Sequence, residues 1–171
     1  MNFKIRPWQS NDLESLVMHA NNPRIAQFMK DIFPHPYTKE AGRKFISFAT
    51  AGNPVHIFAI EVEGRAAGGI GIHQQEDIYK KNAEIGYWLA EQYWNNGIIS
   101  KALNEIVAIA FNRFNITRVF ASSFIHNIAS QKVLIKAGFQ LEAVLKNSIF
   151  KNEVYYDELI YTKFKNQSTF T

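Results

Sequence analysis

The sequence contains no cysteine, so disulfide bridges and thiolate metal sites are excluded. No apolar run approaches the roughly 20 residues that a membrane-spanning helix needs. The first ten residues, MNFKIRPWQS, lack an apolar segment of the signal-peptide type. These absences predict a cytoplasmic protein without a membrane partner.

Metal ligands and strong charge are also scarce. The five histidines are scattered, with no pair at metal-ligand spacing, so we expect no metal site. The formal net charge of +4 suits an anionic ligand. It is too small and too evenly spread to indicate nucleic acid, and a nucleic-acid or scaffold role would rest on this charge alone.

The 171 residues, 47% of them hydrophobic, suffice for one compact domain. We expect this domain over residues 1–165, followed by a polar tail at 166–171. Hydrophobic periodicity predicts a strand, helices, three strands, a helix, a strand, a helix and two strands. This order predicts an α/β fold with a mixed, mostly antiparallel sheet of about seven strands. Residues 83–123 should form a parallel strand–helix–strand crossover.

Several element ends are also predicted. Ser10 and Thr38 are candidate N-caps, and Asn127 is a third before a helix over 128–137. Gly138 suits the position after that helix. GR at 64–65 should form a hairpin turn. A long helix is expected over 97–114, with Ile99 at the start of its buried face.

The stretch YWNNGIISKAL, residues 93–103, lies between a predicted strand and this long helix. A helix N-terminus carries N–H groups without intrahelical acceptors and a partial positive charge, which together attract anions. Glycine allows close backbone approach, and asparagine tolerates left-handed conformations. Residues 95–101, called the anion-binding loop below, therefore suit a pyrophosphate site. The alternative is a simple turn before a helix.

This loop, followed by NIASQKVLIKAGF, resembles the GNAT (GCN5-related) N-acetyltransferase superfamily, and within it the ribosomal-protein alanine and serine N-acetyltransferases. The resemblance extends over nearly the whole chain, from IRPWQSNDLESL to YYDELIYTK. It implies a GNAT fold whose sheet is splayed at an acetyl-CoA site. The implied cofactor-binding residues are Trp88, Leu89, Ala90, Asn95, Asn96, Gly97, Ile98, Ile99, Ser100, Lys101, Asn127 and Lys136.

The loop departs from the family pattern at two positions. Relatives usually have glycine or alanine at Ile99 and often glycine at Asn95. Contacts made by backbone N–H groups tolerate both side chains if Ile99 points into the core. The resemblance also implies that Trp88, Leu89 and Ala90 lie on the splayed strand and that Asn127 hydrogen-bonds the pantetheine arm.

The implied chemistry is direct attack of a primary amine on a thioester. Glu84 is the candidate base because a glutamate is unusual in an otherwise apolar strand. Its alternative role is an ion pair with a lysine across the sheet. Ser130 is the candidate acid for the leaving sulfur, or else a plain first-turn polar residue. A backbone N–H near Leu89 would meet the oxyanion.

The acceptor is expected to be the N-terminal α-amine of a protein, such as a ribosomal protein. The alternatives are a small amine (a polyamine, an amino sugar or an antibiotic) or a GNAT module that binds acyl-CoA without turnover. Phe28, Phe33 and Tyr37 should form an apolar wall of the acceptor pocket. Tyr156 either lines that pocket or is a packed aromatic. The oligomeric state is expected to be a monomer or homodimer.

Overall fold

The strands of the computed structural model, which describes residues 1–165, form one mixed sheet in the order β1-β2-β3-β4-β5-β7-β6. The predicted tail at 166–171 lies outside the described residues, and the single-domain organisation stays a prediction. The strand bounds are β1 Phe3–Pro7, β2 Ile57–Val62, β3 Arg65–Gln74, β4 Asn82–Leu89, β5 Arg118–Phe124, β6 Gln140–Lys151 and β7 Val154–Phe164. The predicted α/β class and the predicted order of helices and strands along the chain are confirmed.

The α-helices of the described chain are α1 Leu13–Ala20, α2 Pro23–Ala26, α3 Lys39–Ala51, α4 Ile98–Arg113 and α5 Ile128–Lys136. Thr38 caps α3, its hydroxyl accepting the N–H of Ala41 at 3.2 Å. Asn22 caps α2 by accepting the N–H of Arg24 at 2.8 Å. Within residues 1–165, none of the helices combines the length and the apolar character that crossing a bilayer requires.

The chain groups into two compact units, and the first comprises residues 1–71 and 87–102. Its strands β1, β2 and β3 form an antiparallel meander. Helices α1 and α3 contribute Leu16, Ile46 and Ala49 to the apolar core of this unit. Gly68 is needed there because an added Cβ would lie 2.5 Å from the carbonyl oxygen of Trp88.

A charge network lies at the start of the first helix, which Ser10 does not cap. A 3₁₀ turn occupies Ser10–Asp12, and the carboxylate of Asp12 accepts the N–H of Gln9 at 2.9 Å. The guanidinium of Arg6 donates to both oxygens of Asp12 at 2.7 Å and to Glu61 at 2.5 Å. Arg6 thereby holds the pKa of Glu61 below its usual value. The prediction for Ser10 was wrong because Ser10 lies inside the 3₁₀ turn, and Asp12 rather than Ser10 accepts the backbone N–H at its start.

The second unit comprises residues 72–86 and the chain from Leu103 onward. Here β4 pairs with β5 in parallel, which confirms the predicted crossover, and β7 lies antiparallel between β5 and β6. Helix α5 ends as predicted at Gly138, which has a φ of +82°. The N–H of Gly138 bonds to the carbonyl of Ile135, and that of Phe139 to Leu134.

Two further element ends differ from the prediction. The β2–β3 turn is formed by Glu63 and Gly64, both with positive φ, and Arg65 already belongs to β3. Strand β6 runs on through NSIFK to Lys151, beyond the predicted QLEAVLK. Its continuation is specified by pairing with β7, since Ile149 lies opposite Tyr156 and Lys151 opposite Val154.

Candidate active site

The anion-binding loop, in the first unit, uses left-handed backbone conformations at two positions. Asn95 has a φ of +62° and Gly97 a φ of +72°. Asparagine is one of the few side-chain-bearing residues that adopt this conformation readily. The side-chain amide of Asn96 donates to the carbonyls of Trp94 at 3.0 Å and Tyr93 at 3.3 Å. The two asparagines and the glycine thus form the turn that α4 requires.

The loop presents backbone N–H groups at the start of α4. The carbonyl of Gly97 accepts the N–H of Lys101 at 3.3 Å, so the N–H groups of Ile98, Ile99 and Ser100 precede the helical ladder and lack intrahelical acceptors. A Cβ built on Gly97 would meet nothing within 4 Å. Open space, N–H donors and the helix dipole together suit an anion.

The side chains of this first turn differ from one expectation. Ile98, not Ile99, begins the buried face of α4, and Ile99 is only half-buried. The Ser100 side chain is buried, and its hydroxyl finds no hydrogen-bond partner among the described residues. The backbone N–H is therefore the group of Ser100 that is placed for an anion. Lys101 is exposed.

At the end of β4, the backbone groups of Leu89 and Ala90 point toward opposite edges of the strand. The N–H of Ala90 donates to the carbonyl of Ala67 on β3 at 2.8 Å. The carbonyl of Leu89 accepts the indole N–H of Trp94 at 2.7 Å. Because successive backbone groups of a strand point to opposite edges, the N–H of Leu89 points away from β3. This direction is the one that the predicted oxyanion donor requires.

Three predicted residues of the first unit form an aromatic cluster. The ring of Phe33 lies 4.9 Å from that of Tyr37 and 5.8 Å from that of Trp88, measured between centroids. Burial raises the pKa of Tyr37 to about 12, so its hydroxyl stays neutral. Phe28 is half-buried in the turn after α2. The side chain of Trp88 thus belongs to the aromatic wall, although its strand position was assigned to the cofactor.

Glu84, in the second unit, belongs to the last pair of the parallel ladder between β4 and β5. The ladder pairs residues 82–84 with 118–120 and ends with Glu84 opposite Phe120, although β5 continues to Phe124. The carboxylate of Glu84 is half-buried and accepts the hydroxyl of Ser122 at 3.5 Å. A carboxylate at the end of a ladder is placed where strand backbone groups become available to another molecule.

The start of α5 carries the other predicted polar pair. The side-chain oxygen of Asn127 accepts the backbone N–H of Ser130 at 3.1 Å, so Asn127 is the N-cap as predicted. This contact leaves the amide NH₂ of Asn127 as its donor for a ligand. Lys136 is exposed in the last turn of the helix.

Tyr156 lies among other aromatic residues of the second unit. Its ring contacts Phe124 and His126 edge-on, with centroids 5.6 and 5.8 Å apart. These contacts favour the packed-aromatic alternative. The neighbouring Asp157 bonds to Lys146 at 2.7 Å and to the N–H of Asn147 at 3.0 Å, which hold its pKa below the usual value.

Two residues near the predicted site were missed. Trp94 fixes the carbonyl of Leu89, and Ser122 contacts Glu84. Trp94 directly precedes the anion-binding loop in the sequence, and this position could have identified it as a site residue. Ser122 became a neighbour of Glu84 only through the register of β4 against β5, which the sequence alone does not specify.

Comparison with known proteins identifies the family. The family model for the acetyltransferase (GNAT) domain matches residues 2–140. The uncharacterized N-acetyltransferase YnaD of Bacillus subtilis is 33% identical over 161 residues, which cover 92% of this chain and 90% of that protein. The ribosomal-protein-serine acetyltransferase of Escherichia coli is 34% identical over 107 residues, covering 63% of this chain and 59% of the enzyme. The match therefore spans little more than half the length of that enzyme. The same is true of the matches to two relatives from B. subtilis.

The fold is shared with a solved structure of the ribosomal L7/L12 α-N-protein acetyltransferase RimL in complex with coenzyme A. The two structures superpose with a TM-score of 0.85 and 24% sequence identity, covering 96% of this chain and 94% of RimL. At that identity the likeness concerns the fold. Together with the family match, it shows that this chain belongs to the GNAT acetyltransferase family.

Proposed function

We propose that this protein is an acetyl-CoA-dependent N-acetyltransferase whose acceptor is the N-terminal α-amine of a protein. The observation that carries the proposal is the anion-binding loop, where left-handed Asn95 and Gly97 introduce three backbone N–H groups without intrahelical acceptors. A pyrophosphate is an anion of the kind that such a helix start binds. The protein acceptor is supported by the 34% identity to a ribosomal-protein-serine acetyltransferase.

In the first unit, the N–H groups of Ile98, Ile99 and Ser100 hold the pyrophosphate, and the exposed Lys101 adds a positive charge. In the second unit, the amide NH₂ of Asn127 donates to the pantetheine arm, and the exposed Lys136 meets the nucleotide phosphates. Backbone contacts dominate in this scheme, so the side chains of Asn95 and Ile99 need not contact the ligand, although Ile99 is half-buried and not directed fully into the core.

The reaction needs a base, an oxyanion donor and an acid. Glu84 takes a proton from the acceptor ammonium, directly or through water, so that the amine nitrogen can attack the thioester carbon. The N–H of Leu89, which points away from β3, donates to the oxygen on which negative charge develops. The carbon–sulfur bond then breaks, Ser130 passes its hydroxyl proton to the thiolate, and the serine oxygen takes up the second proton that the attacking nitrogen loses. The products are an amide and coenzyme A.

The acceptor side is formed by the wall of Phe33, Tyr37 and Trp88. Next to it, the side chain of Ile32 is 91% exposed, which extends the apolar surface outward. A polypeptide can use such a surface beyond its terminal residue, whereas a small amine would fill only the pocket. The choice of a protein terminus over a small amine is supported chiefly by the identity to the ribosomal-protein-serine acetyltransferase.

The test is mass spectrometry after incubation of the enzyme with isotopically labelled acetyl-CoA and a bacterial lysate. The label should appear on protein N-termini and should be absent when a Gly97→Asp variant replaces the parent. Label on small amines alone would shift the proposal to that acceptor. Absence of any label, with coenzyme A still bound in calorimetry, would support a binding module without turnover.

A further inference from the structure

Glu91 connects two parts of the first unit that are separate in sequence. It opens the 3₁₀ turn Glu91–Tyr93, between β4 and the anion-binding loop. The backbone holds this turn firmly, because Ala90 is bonded to Ala67 at 2.8 Å and the N–H of Trp94 bonds to the carbonyl of Glu91 at 3.0 Å. The backbone of Glu91 is therefore fixed relative to Trp94, the residue that precedes Asn95.

Both carboxylate oxygens of Glu91 are engaged by the start of α2. One accepts the amide NH₂ of Asn22 at 2.8 Å, and the other accepts the guanidinium of Arg24. The guanidinium also lies over the ring of Trp94, 5.4 Å from its centroid. An exposed ion pair alone contributes little, but an ion pair combined with an amide bond and a cation–π contact fixes an orientation.

The segment that Glu91 holds is the one that carries the predicted acceptor wall. Residues 21–37, called the acceptor loop below, begin just before α2 and end at Tyr37. The side-chain oxygen of Asn21 accepts the N–H of Tyr37 at 2.9 Å, which closes the loop on itself. Asn22 and Arg24 attach this closed loop to Glu91, in the turn that precedes the anion-binding loop.

We propose that Glu91 is a positioning residue that couples coenzyme A binding at the anion-binding loop to the order of the acceptor loop. The proposal rests on the proposed function. A ligand that stabilises the anion-binding loop also stabilises the turn at Glu91, and the carboxylate passes this constraint to Asn22 and Arg24. The cofactor thereby orders the aromatic wall before the acceptor binds, and positive cooperativity between the two substrates follows.

The experiment measures amide hydrogen exchange of the full chain with and without coenzyme A, and coenzyme A affinity by calorimetry. In the parent, coenzyme A should slow exchange in both loops, the acceptor loop by about fivefold or more. In Glu91→Ala, affinity and protection of the anion-binding loop should persist while the added protection of the acceptor loop is lost. Arg24→Gln, which alters a largely exposed side chain, should have the same effect, and the double variant should lose no more than either single variant.

The control is Glu40→Gln, which removes an exposed ion pair with Lys44 on α3 in the same unit and should retain the parent's protection. Protection of the anion-binding loop alone in the parent would overturn the coupling and leave the proposed function intact. Full protection in Glu91→Ala would overturn the role of Glu91. If Arg24→Gln weakened coenzyme A binding and Glu91→Ala did not, Arg24 would be a direct ligand and the coupling role would be wrong. If the parent bound no coenzyme A, both proposals would fail.

Discussion

The side-chain oxygen of Asn127 accepts the backbone N–H of Ser130 at 3.1 Å, so one residue caps α5 and retains its NH₂ for a ligand. These two roles can be separated by mutation. Asn127→Asp keeps the cap and exchanges the NH₂ donor for an acceptor, whereas Asn127→Ala removes both.

We expect Asn127→Ala to lower the free energy of unfolding by about 1 kcal/mol and Asn127→Asp to leave it near the parent value. Both variants should bind coenzyme A about tenfold more weakly, as expected for one lost hydrogen bond. Urea denaturation and calorimetry measure the two effects. Parent-like affinity in Asn127→Asp would remove Asn127 from the cofactor site.

Two substitutions of Gly97, to asparagine and to aspartate, are nearly equal in size and differ in charge, so together they test whether an anion binds beside this residue. Asparagine and aspartate both tolerate a positive φ, as Asn95 shows at +62°, and an added Cβ at Gly97 meets open space. Gly97→Asn should therefore retain much of the coenzyme A affinity. Gly97→Asp places a negative charge beside the pyrophosphate and should cost about 3 kcal/mol of binding free energy.

Calorimetry at low and high salt measures this difference. The gap between the two variants should narrow with salt, because screening weakens the repulsion. Equal affinities for the two folded variants would show that no phosphate lies near Gly97.

Local rules predicted the helix ends well. Thr38, Asn127 and Gly138 each act within a few residues of their own position, so their roles follow from side-chain chemistry and backbone preference alone. The prediction for Ser10 failed because Asp12 accepts the N–H of Gln9 and Ser10 lies within the resulting 3₁₀ turn. Arg6 binds both Asp12 and Glu61, which is 55 residues from Arg6, and sequence-local reasoning does not identify that distant partner.

The residue at which a buried helix face begins and the full length of a strand were harder to predict than whether a segment is a helix or a strand. A 3.6-residue period allowed either Ile98 or Ile99 to begin the buried face of α4, and only the packed structure assigns it to Ile98. Strand β6 is exposed along most of both faces, so it lacks the alternation that would have marked its full length to Lys151. Its extent depends on β7.

The candidate site shows the same limit. The sequence indicated the residue types, namely Glu84, the anion-binding loop and the aromatic wall. The contacts that orient them join distant segments, as Ser122 to Glu84 and Asn22 to Glu91 do. Such contacts depend on strand register and on loop closure, which no short motif encodes.

Glu84 is testable as the base through kinetics. Glu84→Gln should lower kcat by about 100-fold at neutral pH with unchanged affinity for acetyl-CoA, because an amide cannot accept the proton. Ser122→Ala should cause a smaller loss, since it removes only the hydroxyl that orients the carboxylate. Glu105→Gln, at an exposed position of α4, is the matched control. A pH–rate profile for Glu84→Gln identical to the parent's would exclude Glu84 as the base.

His19 on α1 should make stability depend on pH. It is buried edge-on against Tyr93, and this burial, with a smaller contribution from Arg65, lowers its pKa below the usual 6.5. In the unfolded chain His19 takes up a proton near 6.5, whereas in the folded chain it does so only at lower pH. The unfolded state therefore binds more protons in that window, and the free energy of unfolding falls as pH drops from 6.5 toward the folded pKa.

Urea denaturation between about pH 5 and pH 8 measures this dependence. In His19→Gln, the part of the decrease in unfolding free energy that comes from His19 should disappear as pH drops. This variant should also be less stable than the parent at every pH, because the contact with Tyr93 is lost. His35→Gln, which changes an exposed histidine, should keep the parent's slope. If His19→Gln and the parent lost stability in parallel, the proton uptake would belong to other groups.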